Sequence, residues 1–323
     1  MIPDTDVAQL PLGLYAVAAF DILGQSERLM RATWPLRPDQ DRKDAMRSFV
    51  DAAHGVHLVR EVFAAGYGLY RTPIGQDPNM TQEERARQMQ FFSAEVRFLT
   101  FSDTVLAYVN LREDPTLVQG VLAILSTCAS VFLTLLSGEI PTRGAIDVGL
   151  AYRLSDLRLR GNLASGGDPN DVGYAYKVPD DEIYGPVLAS VHRLESRVAQ
   201  WPRVVLGDGL AQYLHSLAGP VGGTVPDAQV LRALEVYLDL IQKDVDGWPI
   251  LDYLGRWTQR VALRHRDPKN STHAERKAYR FVKKQAERYR DERNEKLAVR
   301  YNLTLEYLRS RAHLWPGMLD EEN

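Results

Sequence analysis

The chain is almost free of cysteine, since Cys128 is the only one in 323 residues. An internal disulfide bond is therefore excluded, and the absence of disulfides is typical of a reducing compartment. The N-terminal residues also lack a basic segment followed by an apolar stretch, so we expect no secretory signal and a cytoplasmic protein. Cys128 itself lies in an apolar run, and we expect it to be buried rather than reactive.

The chain also lacks an excess of charge of either sign, with a net charge of −3 and a pI of about 6.2. This balance excludes a general attraction to nucleic acid, so we expect no nucleic-acid partner. Basic residues are concentrated at 264–300, where acidic residues such as Glu275 and Glu287 are interleaved with them. A mixed-sign run at helical spacing is typical of a solvated helix face, and a surface for a polyanion is the alternative.

Charged side chains are absent from residues 117–136, and this apolar segment of about 20 residues is long enough to span a bilayer. It contains several Ser and Thr residues, however, and no basic residues flank it closely. We therefore predict a long core helix packed under a sheet, rather than a segment that inserts directly into a membrane.

Two nucleotide-binding motifs are missing as well. No G-x-G-x-x-G follows a predicted strand and no G-x-x-x-x-G-K-[ST] occurs, which excludes a doubly wound dinucleotide fold and a P-loop. The order of the predicted elements is strand, helices, β-hairpin, helix, strand, helix, strand and helix, followed by a helical C-terminal region. This order predicts an α+β fold in which helices cover a face of one mostly antiparallel sheet.

The hydrophobic pattern and the turn signals place these elements along the chain. The predicted elements are a strand at 11–20; helices at 25–33, 40–68 and 81–92; a hairpin of strands at 96–101 and 104–109; a helix at 115–137; a strand at 141–152; a helix at 186–199; a strand at 201–206; a helix at 208–217; an apolar segment of either type at 228–237; a strand at 247–254; and helix from 272 to 312. Pro249 cannot donate to a ladder, so we expect the strand at 247–254 to lie at a sheet edge. Residues 161–173 are predicted to form a polar loop.

Two of the predicted apolar strands are each interrupted by one aspartate. Asp21 follows the run from Tyr15 to Phe20, and Asp103 lies in the predicted hairpin. If these strands pair, the two carboxylates lie side by side and repel each other. A divalent cation removes that cost, so the pair is a candidate Mg²⁺ or Mn²⁺ site. The alternative is that Asp21 caps the following helix and that Asp103 occupies a turn.

Four short segments follow one another in a recognisable order between about residues 10 and 210. They are Phe20-Asp21-Ile22-Leu23-Gly24, Phe101-Ser102-Asp103, the segment from Pro141 to Gly149, and the pair Tyr184-Gly185 with Arg193 eight residues after the glycine. Together they resemble the two aspartate motifs, the next strand and the helix signature of class III nucleotidyl cyclases. The resemblance implies the antiparallel sheet of that family in a catalytic domain at 1–215, with a helical insertion at about 36–92. Residues 216–323 are then a mostly helical extension packed on the core.

The residues that read a purine base in this family are not present. Leu99 stands where purine cyclases have a lysine, Glu182 where they have an aspartate, and Ala189 where they have an asparagine. The helical insertion, the Arg143-Gly144 pair and the helical tail are most similar to the pyrimidine cyclases of Pycsar antiphage defence. That resemblance implies formation of 3′,5′-cyclic UMP or cyclic CMP from UTP or CTP. It also implies a homodimer with composite active sites and a separate effector protein that senses the product.

The resemblance implies a metal-dependent reaction. The 3′-hydroxyl must lose a proton and attack the α-phosphorus, and pyrophosphate must leave. Two divalent ions, Mn²⁺ or Mg²⁺, serve such chemistry by lowering the pKa of the hydroxyl and by neutralising the triphosphate. Asp21 and Asp103 are the implied bridging ligands, and the carbonyl of Ile22 is the implied third ligand.

The remaining implied site residues bind the triphosphate. The backbone amides expected to hold the β- and γ-phosphates, at a helix N-terminus, are those of Leu23, Gly24, Gln25 and Ser26. Arg193 is expected to stabilise charge on the α-phosphate. Arg143 either contacts the triphosphate or pairs with Asp147, and the sequence leaves both open.

Leu99 and Glu182 are expected to meet the base. An apolar Leu99 cannot satisfy the ring acceptors of a purine, and Glu182 is an acceptor for uracil N3–H or for the cytosine amino group. We choose UTP because uracil offers a ring N–H that cytosine lacks, and CTP is the alternative. Two other functions stay open: a degenerate cyclase-like domain that binds a nucleotide without turnover, which Ala189 motivates, and a metal-dependent phosphohydrolase that uses the same carboxylates.

Overall fold

An eight-stranded, mostly antiparallel sheet lies at the centre of the computed structural model. The structure describes residues 12–25, 42–71, 81, 96–101, 103–111, 119–153, 182–218, 228–265 and 272–320. Eight α-helices pack around the sheet within these residues, which confirms the predicted α+β class. The predicted helix at 81–92, the predicted loop at 161–173 and the continuation of the helix predicted at 25–33 lie outside the described residues.

The sheet has the strand order β2-β3-β1-β4-β6-β8-β7, and β5 pairs with β4 beside this path. The strands are β1 (Gly13–Ile22), β2 (Arg97–Phe101), β3 (Thr104–Asn110), β4 (Thr142–Arg153), β5 (Ile183–Tyr184), β6 (Val204–Leu206), β7 (Ile241–Lys243) and β8 (Pro249–Leu251). All pairs are antiparallel except β4 with β6. The predicted hairpin is therefore present as β2 and β3, and β3 pairs with β1 as the side-by-side placement of the two aspartates requires.

Helices cover both faces of the sheet. The helices are α1 (Arg42–Arg71), α2 (Gln119–Ser137), α3 (Pro186–Arg193), α4 (Asp208–Ala218), α5 (Ala228–Leu240), α6 (Arg256–His265), α7 (His273–Asp291) and α8 (Glu295–Arg311). One face of β1 contributes Ala18 and Phe20 to a larger core, which α1 and α2 cover. The other face contributes Val17 and Ala19 to a smaller core, which α3 covers. Helices thus cover a second face as well as the predicted one, and burial on both sides explains why β1 is apolar without alternation.

Helix α2 is a core helix, as its polar residues predicted. Residues Gly120–Ser137 are long and apolar enough to cross a membrane, but 78% of this window is buried inside the protein. Cys128 lies within it and is fully buried, which confirms the expectation for that thiol. Burial raises the pKa of the Cys128 thiol well above its usual value, so the thiol stays protonated.

Two predicted elements differ from the observed ones in a way that shapes the site. The helix predicted at 186–199 ends at Arg193 and continues as one π-helical turn, Leu194–Val198. The strand predicted at 247–254 is shorter, and β8 lies between β6 and β7 rather than at the sheet edge. Pro249 is tolerated there because it is the first residue of β8.

The C-terminal helices are fastened to the end of β8 by one polar cluster. Asp252 accepts a hydrogen bond from the Tyr307 hydroxyl at 2.9 Å, and its Oδ2 lies 2.8 Å from Nη2 of Arg311. The amide of Leu254 donates back to the Tyr307 hydroxyl at 2.9 Å.

The helix predicted at 272–312 is divided into α7 and α8. Asn294 caps α8, because its side chain accepts a hydrogen bond from the Leu297 amide at 3.2 Å.

Candidate active site

The register of the sheet places Asp21 between two strands that carry other candidate residues. Asp21 lies opposite Thr104 of β3 on one side and opposite Arg143 of β4 on the other. Directly opposed residues share a face of the sheet, so Asp21 and Arg143 point to the same side. Asp103 immediately precedes Thr104 in the turn of the hairpin, which brings the two predicted aspartates to neighbouring positions.

Arg143 is the direct counter-ion of Asp21. Its Nε donates a hydrogen bond to Oδ2 of Asp21 at 2.7 Å and lies 2.8 Å from Oε1 of Glu195. The side chain of Arg143 is 21% exposed, whereas Asp21 is only 7% exposed as a residue. Burial raises the pKa of the Asp21 carboxyl, Arg143 opposes this, and the charge of Asp103 raises the pKa further. This effect of Asp103 on the pKa of Asp21 indicates that the two carboxylates lie close to each other.

The alternative pairing of Arg143 with Asp147 is wrong. On a strand, residues four apart share a face but lie about 13 Å apart, too far for an ion pair. The buried Asp147 carboxylate instead accepts from the amides of Val148 and Leu210, both at 2.9 Å, and from the Ser190 hydroxyl at 2.6 Å. It therefore ties β4 to α3 and α4 and has a structural role.

Glu195 is a third carboxylate in this cluster, and the sequence analysis missed it. It lies in the π-helical turn after α3 and is 2% exposed. A signal for its burial does exist, because Val187 and Val191 precede it at intervals of four and are buried on the same helix face. An acidic residue that continues an apolar helix stripe is a candidate for a buried functional group.

The pKa of the Glu195 carboxyl is raised to about 7, and burial is the largest cause. Arg143 lowers this pKa, but the charges of Asp21 and Asp103 and a hydrogen bond to Asp21 raise it. The folded protein therefore holds a proton on Glu195 at a pH where an ordinary glutamate has lost it. Oε1 of Glu195 is buried and receives no hydrogen bond from the residues described here, since the N–H on Nε of Arg143 points to Asp21.

We expect Glu195→Gln to change how the free energy of unfolding depends on pH. A raised folded-state pKa means that the folded state binds more protons than the unfolded state between about pH 4.5 and 7, so stability falls as pH rises through that window. The loss is at most about 1.4 kcal/mol per pH unit, and the neutral amide avoids it. Urea unfolding at several pH values should show the variant gaining stability relative to wild type as pH rises. The exposed Glu306→Gln is the control; parallel curves for wild type and Glu195→Gln would contradict the assignment.

A second arginine approaches the cluster from the C-terminal extension. Arg300 lies on α8, and its pKa is lowered by burial and by the positive charge of Arg143. Arg300 is at the end of the basic segment that was predicted to be a solvated helix face, and this one residue contributes charge near the site.

The turn after β1 supplies fewer free amides than expected. The Leu23 amide donates to the carbonyl of Pro141 at 2.8 Å, so it is engaged within the protein rather than directed at a phosphate. Gly24 has a φ of 80°, a left-handed conformation that glycine adopts without strain. The side chain of Gln25 is buried and donates to the carbonyl of Ala52 in α1. Ser26 lies outside the described residues, and the amides of Gly24 and Gln25 remain as candidate phosphate donors.

This turn also borders a cleft of about 190 Å³ between the end of β1, α1 and the turn before β4. Ile22, whose backbone carbonyl is the implied third metal ligand, lines the cleft. Its side chain belongs to the larger core. Asp51, His54 and Glu139 add polar groups to the lining. The end of β1 is therefore accessible from the α1 side.

Of the remaining predicted residues, Leu99 lies on the face that carries Asp21, whereas Glu182 lies at the far end of β4, because Ile183 after it pairs with Arg153 and Asp21 pairs with Arg143. Leu99 is half-buried in β2 and packs against the smaller core, which is the core on the Asp21 side of the sheet. Glu182 is half-buried, and its Oε2 has no hydrogen-bond partner within the described chain. Arg193 is exposed in the last turn of α3. His192 beside it is also exposed, with Nδ1 3.8 Å from Oε2 of Glu195.

The glycines of two motif segments are required by close packing. A Cβ on Gly185 would lie 2.6 Å from the Ala151 Cα atom and from the Leu150 carbonyl oxygen, both in β4. A Cβ on Gly144 would lie 2.6 Å from the carbonyl oxygen of Ala19 in β1. These contacts hold α3 and β4 near β1, and they explain the glycines of the Tyr184-Gly185 and Arg143-Gly144 pairs in structural terms.

The cluster fits a hard divalent cation by its chemistry, because it offers three carboxylates and the end of a strand with a backbone carbonyl. Within the described residues, however, no group of three or more His, Cys, Asp or Glu side chains is arranged to hold a metal ion. The guanidinium of Arg143 lies against both Asp21 and Glu195.

No family model matches the chain, and no curated protein matches it either.

Proposed function

We propose that the protein is a metal-dependent pyrimidine nucleotide cyclase that converts UTP to 3′,5′-cyclic UMP and pyrophosphate. The observation that carries the proposal is the placement of Asp21 and Asp103. They lie on neighbouring strands, β1 and the β2–β3 hairpin, and the charge of one raises the pKa of the other. Two adjacent carboxylates at the end of a sheet are the ligand set that a phosphoryl-transfer site with divalent ions uses.

The arrangement of the elements supports a class III cyclase fold. The four resembling segments fall on β1, on the β2–β3 hairpin, on β4 and on β5 with α3. The first three meet around Asp21, whereas β5 pairs with Tyr152 and Arg153 at the far end of β4, and α3 leads from there to Glu195 beside Arg143. Helix α3, which carries the implied catalytic arginine, packs on the same face of the sheet as Asp21. Asp21, Arg143 and Glu195, which are up to 174 positions apart in the sequence, lie in one cluster on that face.

Asp21, Asp103 and the Ile22 carbonyl would hold the divalent ions, and Glu195 adds a buried carboxylate beside them. Bound ions would acidify the 3′-hydroxyl and neutralise the triphosphate. The protein's own residues then bind and orient the nucleotide. The amides of Gly24 and Gln25 would donate to the β- and γ-phosphates, and Arg143 would reach the triphosphate from the adjacent strand.

Arg193 supports a composite site in a homodimer. It is exposed at the end of α3, so it is available to a second subunit. A guanidinium supplied by the partner would stabilise the charge that develops on the α-phosphate. The catalytic arginine would thereby be present only after two chains have assembled.

Leu99 and Glu182 support a pyrimidine substrate. Leu99 offers a purine no hydrogen-bond donor, and burial of an unpaired ring acceptor costs about 1–3 kcal/mol. Oε2 of Glu182 is a buried acceptor without a donor in the described chain, and uracil N3–H would supply that donor. Because Glu182 and Asp21 lie at opposite ends of β4, the glutamate at a given metal site would come from the second subunit. A cyclic pyrimidine nucleotide made in the cytoplasm would act as a second messenger in antiphage defence, sensed by a separate effector.

The decisive experiment is to incubate the protein with equal concentrations of the four ribonucleoside triphosphates and Mn²⁺, and to resolve the products by mass. We expect cyclic UMP as the dominant product and little cyclic AMP or cyclic GMP. A dominant cyclic CMP product would reject only the choice of uracil. Linear monophosphates would indicate a phosphohydrolase, and absence of any product would indicate a nucleotide-binding domain without turnover.

A further inference from the structure

Arg143 occupies the position that a cation would take between two carboxylates. Its Nε lies 2.7 Å from Oδ2 of Asp21 and 2.8 Å from Oε1 of Glu195. Among the three guanidinium nitrogens of Arg143, Nε makes the polar contacts within the described part of the chain. Oε1 of Glu195, in a residue that is 2% exposed, touches this nitrogen but receives no hydrogen bond from it. The buried carboxylates are therefore only partly satisfied by the one guanidinium.

A divalent ion on Oδ2 of Asp21 would compete with this guanidinium, which already lies 2.7 Å from that oxygen. Mg²⁺ binds carboxylate oxygens at about 2.0–2.1 Å, and a second cation in hydrogen-bond contact with that oxygen would repel it. We infer that Arg143 is a tethered counter-ion that competes with the divalent ion for Asp21 and Glu195, and that the triphosphate draws it away when the nucleotide binds. This inference rests on the proposed function, because it assumes a metal and a triphosphate at this site.

Arg203 of the same chain provides a comparison, because its guanidinium is buried in ion pairs. The side chain of Arg203 is 3% exposed and binds Asp244 and Asp246, each at 2.6 Å. It also donates to the carbonyl of Val198 at 2.7 Å and packs over the Trp201 ring at 3.6 Å. Arg143 is more exposed, makes fewer contacts and uses a single nitrogen, so its displacement breaks far less structure.

The exchange keeps the buried carboxylates compensated by positive charge. Removal of Arg143 alone would leave buried carboxylates without a cation, which is costly, but a divalent ion replaces the lost positive charge. The guanidinium in turn finds phosphate oxygens, which it binds in a bidentate manner. Burial lowers the pKa of Arg300, and Arg300 lies close enough for the positive charge of Arg143 to lower it further, so the two guanidinium groups repel each other.

The test is to measure two affinities separately in the full-length protein. Mn²⁺ is titrated without nucleotide, and α,β-methylene-UTP is titrated in EDTA, both by calorimetry. We expect Arg143→Gln to bind Mn²⁺ at least about tenfold more tightly than wild type and to bind the analogue at least about tenfold more weakly, as a coupling of ordinary size predicts. Opposite effects on the two ligands distinguish a competing cation from an arginine with only a structural role.

Arg197→Gln is the matched control, because Arg197 is an exposed arginine two residues after Glu195. We expect it to change neither affinity by more than about twofold. Arg143→Lys is the second variant, in case the glutamine variant does not fold. Its shorter cation is expected to compete less well, so its Mn²⁺ affinity should lie above that of wild type.

Two other outcomes have distinct meanings. Unchanged or weaker Mn²⁺ binding in the folded Arg143 variants would overturn the inference and leave the proposed metal site intact. Absence of Mn²⁺ binding in wild type and in every variant would overturn the inference and the proposed function together.

Discussion

Asp21→Asn and Asp103→Asn should each reduce cyclase turnover by at least roughly 10²- to 10³-fold, the size of effect seen when one group that stabilises transition-state charge is removed. Each substitution deletes a carboxylate that the metal-dependent reaction requires. The fold should persist, because removal of one carboxylate relieves the repulsion that raises the pKa of Asp21. In Asp21→Asn the guanidinium of Arg143 keeps Glu195 as its partner. Turnover is measured by cyclic nucleotide formation, and folding by melting temperature, which should hold or rise.

Asp291→Asn is the control for this pair, because Asp291 is an exposed aspartate at the end of α7. It should retain wild-type turnover. Normal turnover in Asp21→Asn or Asp103→Asn would rule out the metal site, whereas loss of turnover together with a large drop in melting temperature would show only that the fold was damaged.

Mixing two inactive variants should restore activity if the site is shared between subunits. Asp21→Asn removes a metal ligand, and Arg193→Ala should cost roughly 10²–10³ in turnover. In a heterodimer of these chains one site carries both lesions and the other carries neither. Purified heterodimers should therefore show about half of the wild-type activity per dimer, measured as cyclic UMP formed.

The chain offers a sharp control for the mixing experiment. A heterodimer of Asp21→Asn with Asp103→Asn has one lesion in each site, because both residues serve the metal half of their own subunit. It should stay inactive. If verified heterodimers of Asp21→Asn with Arg193→Ala also stay inactive, either each site lies within one chain or Arg193 has been given the wrong role.

The sequence predicted the placement of Asp21 and Asp103 because sheet geometry is local and periodic. The apolar run before Asp21 predicted a buried strand, and the two segments around Asp103 predicted a hairpin. What the sequence left open was the partner of β1, and the pairing of β1 with β3 settles it. The strand with Pro249 was misplaced because the rule that proline prefers sheet edges has an exception for the first residue of a strand.

The role of Glu195 was not predictable with the same ease. Its burial coincides with a π-helical turn, a rare conformation that the hydrophobic pattern of the sequence does not predict. The ion pair of Arg143 was also missed, because it joins residues 122 positions apart whose contact depends on the β1–β4 register. Side-chain pairs across a sheet follow from register, and hydrophobic pattern alone does not fix register for strands that are buried on both faces.

The position of β8 inside the sheet has a consequence for any attempt to shorten the protein. β6 is a run of Val204, Val205 and Leu206, all buried, and it pairs with β4 on one side and with β8 on the other. A fragment that stopped at residue 215 would lack β8. The backbone amides and carbonyls on that side of β6 would then have no partner strand. Such an edge has neither lysine nor proline to discourage strand addition, so the fragment would aggregate edge to edge. The C-terminal region thus prevents self-association of the sheet, because β8 covers the edge of β6.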